Sequence, residues 1–134
     1  MKKFSLLFLF SLLFWAGKSQ DFSHIALDNR IYTDDIYSVK LCPADKYFGT
    51  PIIKLNSGEQ LRLVFDHLGD YDEYMKYTLI HCSHDWQLSP MNPLEYLDGF
   101  MEDEITDNSY SFNTITGYTH FELLLPNDLL RITK

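Results

Sequence analysis

The densest run of side chains able to bind a metal or supply a nucleophile is His81–Cys82–Ser83–His84–Asp85. Zinc takes about four N, S or O ligands, usually two at short spacing and the rest from a distant element. His81 and Cys82 are adjacent, so on a strand they point to opposite faces. A set of His81, His84, His120 and Asp85, which would make a secreted metallohydrolase, follows no standard spacing. The plainer reading is a strand end, with Asp85 capping a turn and Trp86 anchoring the core. Cys82 beside His81 is not a dyad, because nucleophile and base meet in space rather than by adjacency. The sequence holds no Gly-x-Ser-x-Gly elbow, phosphate-cradling Gly-rich loop or dinucleotide fingerprint.

Six acidic residues fall from Glu95 to Asp107. They could include an acid/base pair of the glycosidase kind or hold calcium weakly, but such a run is more often a solvated loop. Tyr96, Phe100, Tyr110, Phe112 and Tyr118 are suited either to an interaction surface or to a core under that loop. Trp86, Tyr96 and Phe100 could instead stack on a sugar, which makes a periplasmic carbohydrate-binding module the alternative function. No catalytic, cofactor or metal residue is assigned, and the reading is non-enzymatic.

These residues need elements to hold them, and no segment after the N-terminus sustains a helical apolar period over three turns. Short runs rich in β-branched and aromatic residues are cut by Gly, Pro, Asn and Asp. Strands are expected at Ile36 to Cys42, Ile52 to Leu55 and Glu59 to Asp66, the last with Leu61, Leu63 and Phe65 on one face. Glu73 to Cys82 alternates too, with Met75, Tyr77 and Leu79 sharing a side. Ser83 to Asp107 reads as a long loop. Tyr110 to Thr114 and Tyr118 to Leu125 are the last strands, with Thr119, Phe121, Leu123 and Leu125 on one face and Pro126–Asn127 as the stop.

This pattern predicts an all-β fold, an antiparallel immunoglobulin-like β-sandwich. The sequence stops at Arg131–Ile132–Thr133–Lys134, where a sandwich normally adds a strand, so the expectation is a sandwich missing its closing strand or strands. Only Cys42 and Cys82 are present. They could close a disulfide in an oxidising compartment or stay as two thiols, and the sequence leaves both open.

Met1–Lys2–Lys3, an apolar run from Phe4 to Ala16 and the small residues Gly17 and Ser19 form the layout of a secretory signal peptide, residues 1–19. The apolar run is too short to span a bilayer. Cleavage before Gln20 removes Lys2, Lys3 and Lys18, leaving eight of 11 basic residues against 19 acidic ones, a charge of about −11. That sign opposes nucleic acid and anionic membrane surfaces. Residues 20–134 suit a single domain.

The motifs taken in order are more specific. His81–Cys82–Ser83–His84–Asp85–Trp86 is followed by Glu95–Tyr96–Leu97–Asp98–Gly99–Phe100 and Ile105–Thr106–Asp107. Then come Ser111–Phe112–Asn113–Thr114, Tyr118–Thr119–His120–Phe121 and Leu125–Pro126–Asn127. With Pro51–Ile52–Ile53 and Ser57–Gly58–Glu59–Gln60–Leu61, this series resembles the N-terminal domain of the plug protein of the type IX secretion system of Bacteroidota. The resemblance runs from about Ile31 to Lys134. It implies a periplasmic, non-enzymatic β-sandwich without a cofactor, peripheral to the outer membrane and not inserted in it. The implied partner is the large outer-membrane β-barrel translocon, whose channel such proteins block from the periplasmic side.

Overall fold

The computed structural model describes residues 25–69 and 74–131. The expected signal peptide, residues 1–19, lies outside the described residues. In chain order the elements are β1 (Ile36–Pro43), β2 (Leu61–Leu68), β3 (Lys76–Thr78), α1 (Pro93–Tyr96), β4 (Glu102–Glu104), β5 (Asp107–Tyr110) and β6 (Tyr118–Leu125). A 3-10 turn follows at Asn127–Leu129. With so little helix, the fold is all-β.

Among the described residues every strand pairing is antiparallel. Four strands form a sheet in the order β1-β2-β6-β5, and β3 and β4 form a second, two-stranded sheet. β2 and β6 are in unbroken register from Leu61↔Leu125 to Leu68↔Tyr118. The period-two alternation therefore brings Leu63, Phe65 and His67 of β2 beside Leu123, Phe121 and Thr119 of β6 on one face. Phe65 and Phe121 stack at 5.1 Å between ring centroids. Ile105, in the connection between β4 and β5, completes this buried cluster, with Met75 and Tyr77 packed against it. Aromatic pairs of this kind add about 1 kcal/mol beyond the area they bury.

On the other face of the large sheet, polar pairs alternate with Val64, Leu68, Tyr118 and Leu124. Asp66 meets His120 directly across the ladder at 2.7 Å, and Arg62 reaches Glu122 diagonally at 3.1 Å. β1 lies at the edge, and its register slips between Tyr37 and Lys40, where Ser38 takes a left-handed φ of 56°. Such a bulge blunts an edge that would otherwise invite further strands. Lys40 Nζ sits 3.5 Å from the Tyr47 ring centroid and 4.0 Å from that of Phe48. Cys42 is fully buried and Cys82 half-buried, and both are free thiols.

Three strand expectations change. Ile52 to Leu55 forms no strand, because its backbone is captured by side chains. Lys54 N–H donates to Glu59 Oε2 at 2.7 Å, and the Lys54 carbonyl accepts from Ser57 Oγ and Asn127 Nδ2. Of the strand expected from Glu73 to Cys82, the described residues pair with β4 over Lys76–Thr78, since β4 offers three residues opposite. The strand placed at Tyr110 to Thr114 lies earlier, at Asp107–Tyr110, because the backbone turns at Ser111 to close a hairpin with Tyr118.

Candidate functional site

The motif residues fall into three structural groups. The first is the segment from His81 to Ser89, which folds back on itself instead of continuing β3. Cys82 and Leu88 form an isolated antiparallel bridge, and Ser83 N–H donates to the Gln87 carbonyl at 2.9 Å. Ser83 Oγ donates to Asp85 and holds that carboxyl below the usual carboxylate range. Asp85 therefore does cap a turn. Trp86 does not anchor the core: it adopts φ 60° at the tip of this small hairpin and is 73 % exposed. A left-handed backbone at the tip turns its indole outward.

The second group runs from Asn92 to Gly99 and docks on the chain after β6. Asn92 accepts from Leu94 N–H while Glu95 accepts from Asn92 N–H, a capping box that starts α1 with Pro93 in its first turn. This N-x-x-E signal with a following Pro was readable in the sequence, and the long loop expected there conceals it. Tyr96 is buried, its hydroxyl donating to the Leu79 carbonyl and its ring 5.3 Å from that of His81. Leu97 bridges to Leu130, and Asp98 N–H donates to the Leu129 carbonyl at 2.8 Å. Gly99 closes the contact at φ 155°, where a Cβ would lie 3.2 Å from Leu129 Cδ2. Phe100 then emerges into solvent.

At the far end of the same contact, Asn127 is only 5 % exposed. Its Nδ2 donates to the carbonyls of Lys54 at 2.8 Å and Glu59 at 2.9 Å and lies 3.3 Å from Ser57 Oγ. Its Oδ1 accepts from Asn56 N–H at 3.1 Å. One amide thus satisfies a turn about seventy residues away, which explains why Pro126–Asn127 ends β6 with a polar side chain turned inward.

The third group is the β5–β6 connection. Ser111 N–H donates to the Tyr118 carbonyl at 2.8 Å, and Tyr118 N–H donates to Ser111 Oγ at 2.9 Å. Thr114 Oγ1 lies 3.0 Å from Ser111 Oγ and 2.8 Å from the Thr116 carbonyl oxygen. Asn113 holds φ 60°. The apolar side chains on this polar frame, Phe112 and Ile115, project into solvent. Thr119 and His120, next in the chain, belong to the sheet, Thr119 buried and His120 held by Asp66.

This placement decides between the chemistries considered above. Among the described residues no group of three or more His, Cys, Asp or Glu is gathered closely enough to hold a metal ion. His120 is carried on β6 facing Asp66, whereas His81 lies against Tyr96, so the His81, His84, His120 and Asp85 set does not assemble. A sugar-stacking platform of Trp86, Tyr96 and Phe100 loses its middle member, because Tyr96 is buried against His81 and the Leu79 backbone. Exposed apolar side chains are what remains: Trp86, Phe100 and Phe112 among the motif residues, and elsewhere Phe48 and Ile115. No described helix is long and apolar enough to cross a membrane.

The comparisons with known proteins agree with the motif series. Residues 36–134 match the family model described as the type 9 secretion system plug protein 1st domain. The fold is similar to the crystal structure, at 2.30 Å resolution, of a hypothetical protein from Parabacteroides merdae ATCC 43184. That match has a TM-score of 0.69 and 34 % identity, and covers 75 % of this chain and 26 % of that one. The chain thus spans about a quarter of the length of that solved protein. No curated protein matches. The family is a component of a protein secretion system and not an enzyme family. With the family model matched over 36–134, the chain belongs to the type 9 secretion system plug proteins, to their first domain.

Proposed function

We propose that this chain is the exported first domain of a type IX secretion plug, a periplasmic protein at the inner side of the outer membrane. It binds the translocon barrel and occludes its channel by bulk and contact, without chemistry or cofactor. The observation that carries this reading is the family match across residues 36–134. Residues 1–19 act as the signal peptide that delivers it, and residues 20–134 make the domain. The two sheets that share the Phe65, Ile105 and Phe121 cluster are the layers of an immunoglobulin-like sandwich.

Blocking a pore calls for a stiff exported body and adhesive loops. Two eight-residue strands in continuous register supply stiffness, and the exposed aromatics supply contact area of the kind favoured at interfaces. The motif residues from His81 to Asn127 serve this purpose as frames and displays, and none is given a catalytic role. The acidic balance of 19 carboxylates against 11 cationic side chains sets nucleic acid aside as a partner.

The test is a planar bilayer holding the native translocon barrel in its open form. Adding the full gene product to the periplasmic side is expected to lower conductance, and washing it out to restore it. An open barrel whose conductance does not respond at saturating protein would reject occlusion. Recovery of the barrel with tagged protein from the native envelope checks binding separately.

A further inference from the structure

The β5–β6 hairpin is a rigid mount for two bare apolar side chains. Phe112 is 93 % exposed, and Ile115, three residues on, is fully exposed. Single exposed apolar residues are ordinary, but a pair on one tight loop is not scattered surface. The loop is fixed beneath them by the Ser111 and Thr114 hydroxyls and by the backbone bonds to Tyr118. A loop already ordered gives up little entropy when it docks, so these side chains are pre-arranged for burial against something else.

Acidic side chains lie near the hairpin in the same sheet. At the hairpin end, Asp34, Asp35 and Asp66 lie on or beside the rungs joining Ile36 to His67 and Tyr37 to Asp66. The opposite end, where Pro43 pairs with Leu61 and Leu61 with Leu125, is mixed: Lys46, Lys54 and Arg62 lie there with Asp45, Glu59 and Glu122. From Tyr77 to Leu130 the chain carries nine Asp or Glu and no Lys or Arg. Arg30, over the Tyr32 ring, stands in the approach to β1.

We propose that Phe112 and Ile115 are a two-residue apolar anchor that seats in an apolar pocket rimmed by Lys and Arg on the partner protein. This rests on the plug reading and names its contact point. The acidic surroundings supply the charge complementarity that orients the approach. A lipid surface suits the anchor poorly. Interfacial segments combine apolar side chains with Lys and Arg facing anionic headgroups, and the hairpin has no such cation.

The experiment titrates the full gene product and its Phe112→Ser/Ile115→Ser double variant against the translocon barrel purified in mild detergent. It is repeated at low and high NaCl, and the melting temperature of each protein is taken alone. The expected result is binding by the wild type, at least about tenfold weaker binding by the variant, and equal melting temperatures. Raising NaCl from about 0.05 to 0.5 M should weaken wild-type binding as the Debye length shrinks. If the variant binds as well as the wild type, the anchor is overturned and the plug reading stands. If the wild type does not bind at all, both fall. A salt-insensitive affinity overturns the cationic rim. A lowered melting temperature with binding preserved assigns the tip to a contact within the chain and overturns the proposal. Co-sedimentation of the wild type but not the variant with phosphatidylethanolamine–phosphatidylglycerol vesicles overturns it in favour of a lipid surface.

Discussion

Beyond the C-terminal end of β6, Asn127 is buried and its amide joins Lys54, Asn56 and Glu59 through hydrogen bonds to their backbone. Before its N-terminal end, Ser111 and Thr114 build a polar frame of the same size on which Phe112 and Ile115 stand in solvent. Both regions use short polar side chains to satisfy backbone groups that no strand partner reaches. At Asn127 the polar atoms point inward and bind distant segments into one body. At the hairpin they point inward as well, but what they hold up is apolar and faces water. The first arrangement buries its polar groups within the described residues, and the second leaves its apolar groups exposed there. Motif residues of one family therefore divide into those that tie distant segments together and those that, in the proposal above, make contact with a partner.

The sharpest way to break this contrast is at the clamp. Asn127→Ala removes three close hydrogen bonds to backbone and leaves the Lys54 and Glu59 carbonyls and the Asn56 N–H without that partner in a part-buried site. A loss of about 2–4 kcal/mol is expected, because orphaned polar groups forfeit their solvation. Urea denaturation measures it. A loss below about 0.5 kcal/mol would show that water replaces the amide and that the clamp is dispensable.

Ser111→Ala probes the mount by the same route. Tyr118 N–H loses its acceptor at 2.9 Å and Thr114 its neighbour at 3.0 Å, on a loop near solvent. The expected cost is about 1 kcal/mol, smaller than at Asn127 because water reaches the freed groups. Hydrogen exchange at Tyr118 should also speed up. Unchanged protection there would mean that the backbone bond from Ser111 to Tyr118 fixes the loop unaided.

A third polar anchor, the pair between buried His67 and Asp35 at 3.0 Å, differs from Asn127 in being titratable. Asp35 is held below the ordinary carboxylate range, first by the Thr33 hydroxyl and then by His67. A carboxylate with a depressed folded value stabilises the fold above its unfolded value of about 3.9 and ceases to do so as pH falls through the folded one. The melting-temperature difference between wild type and Asp35→Asn should therefore be present at neutral pH and shrink below about pH 4. A difference that stays constant down to pH 2 would remove the ionised carboxylate from the account.

How much of this was legible in the sequence follows from how local each cause is. β6 reads correctly from Tyr118 to Leu125 because strict alternation and the Pro126 stop both lie within it. β1 begins at Ile36 as expected and runs one residue past Cys42 for similar reasons. Ile52 to Leu55 looks like a strand by composition, but its backbone is held by Ser57 and Glu59 nearby and by Asn127 about seventy residues away, which no window of sequence contains. β5 carries Asp107, Asn108 and Ser109, poor strand formers that pair only because β6 lies beside them. Trp86 was misplaced for a related reason: a large aromatic suggests burial, whereas the left-handed backbone that turns it outward leaves little trace in composition. Of the five aromatics weighed between core and surface, Tyr96 went to the core while Phe100, Tyr110 and Phe112 stayed in water.

The smallest expected effect is also the one that separates the two regions most cleanly. Phe112 and Ile115 are as open to water in the fold as they are in an unfolded chain. Replacing both with Ser removes no buried area and opens no cavity, so the transfer and packing terms that make core truncations costly are absent. The double variant should match the wild type within about 0.5 kcal/mol in urea. Its denaturation slope should also be unchanged, because the surface exposed on unfolding is nearly the same. A loss above about 1 kcal/mol would mean that the tip packs against another part of the protein. The hairpin would then be a second clamp, differing from Asn127 in the segment it holds rather than in kind.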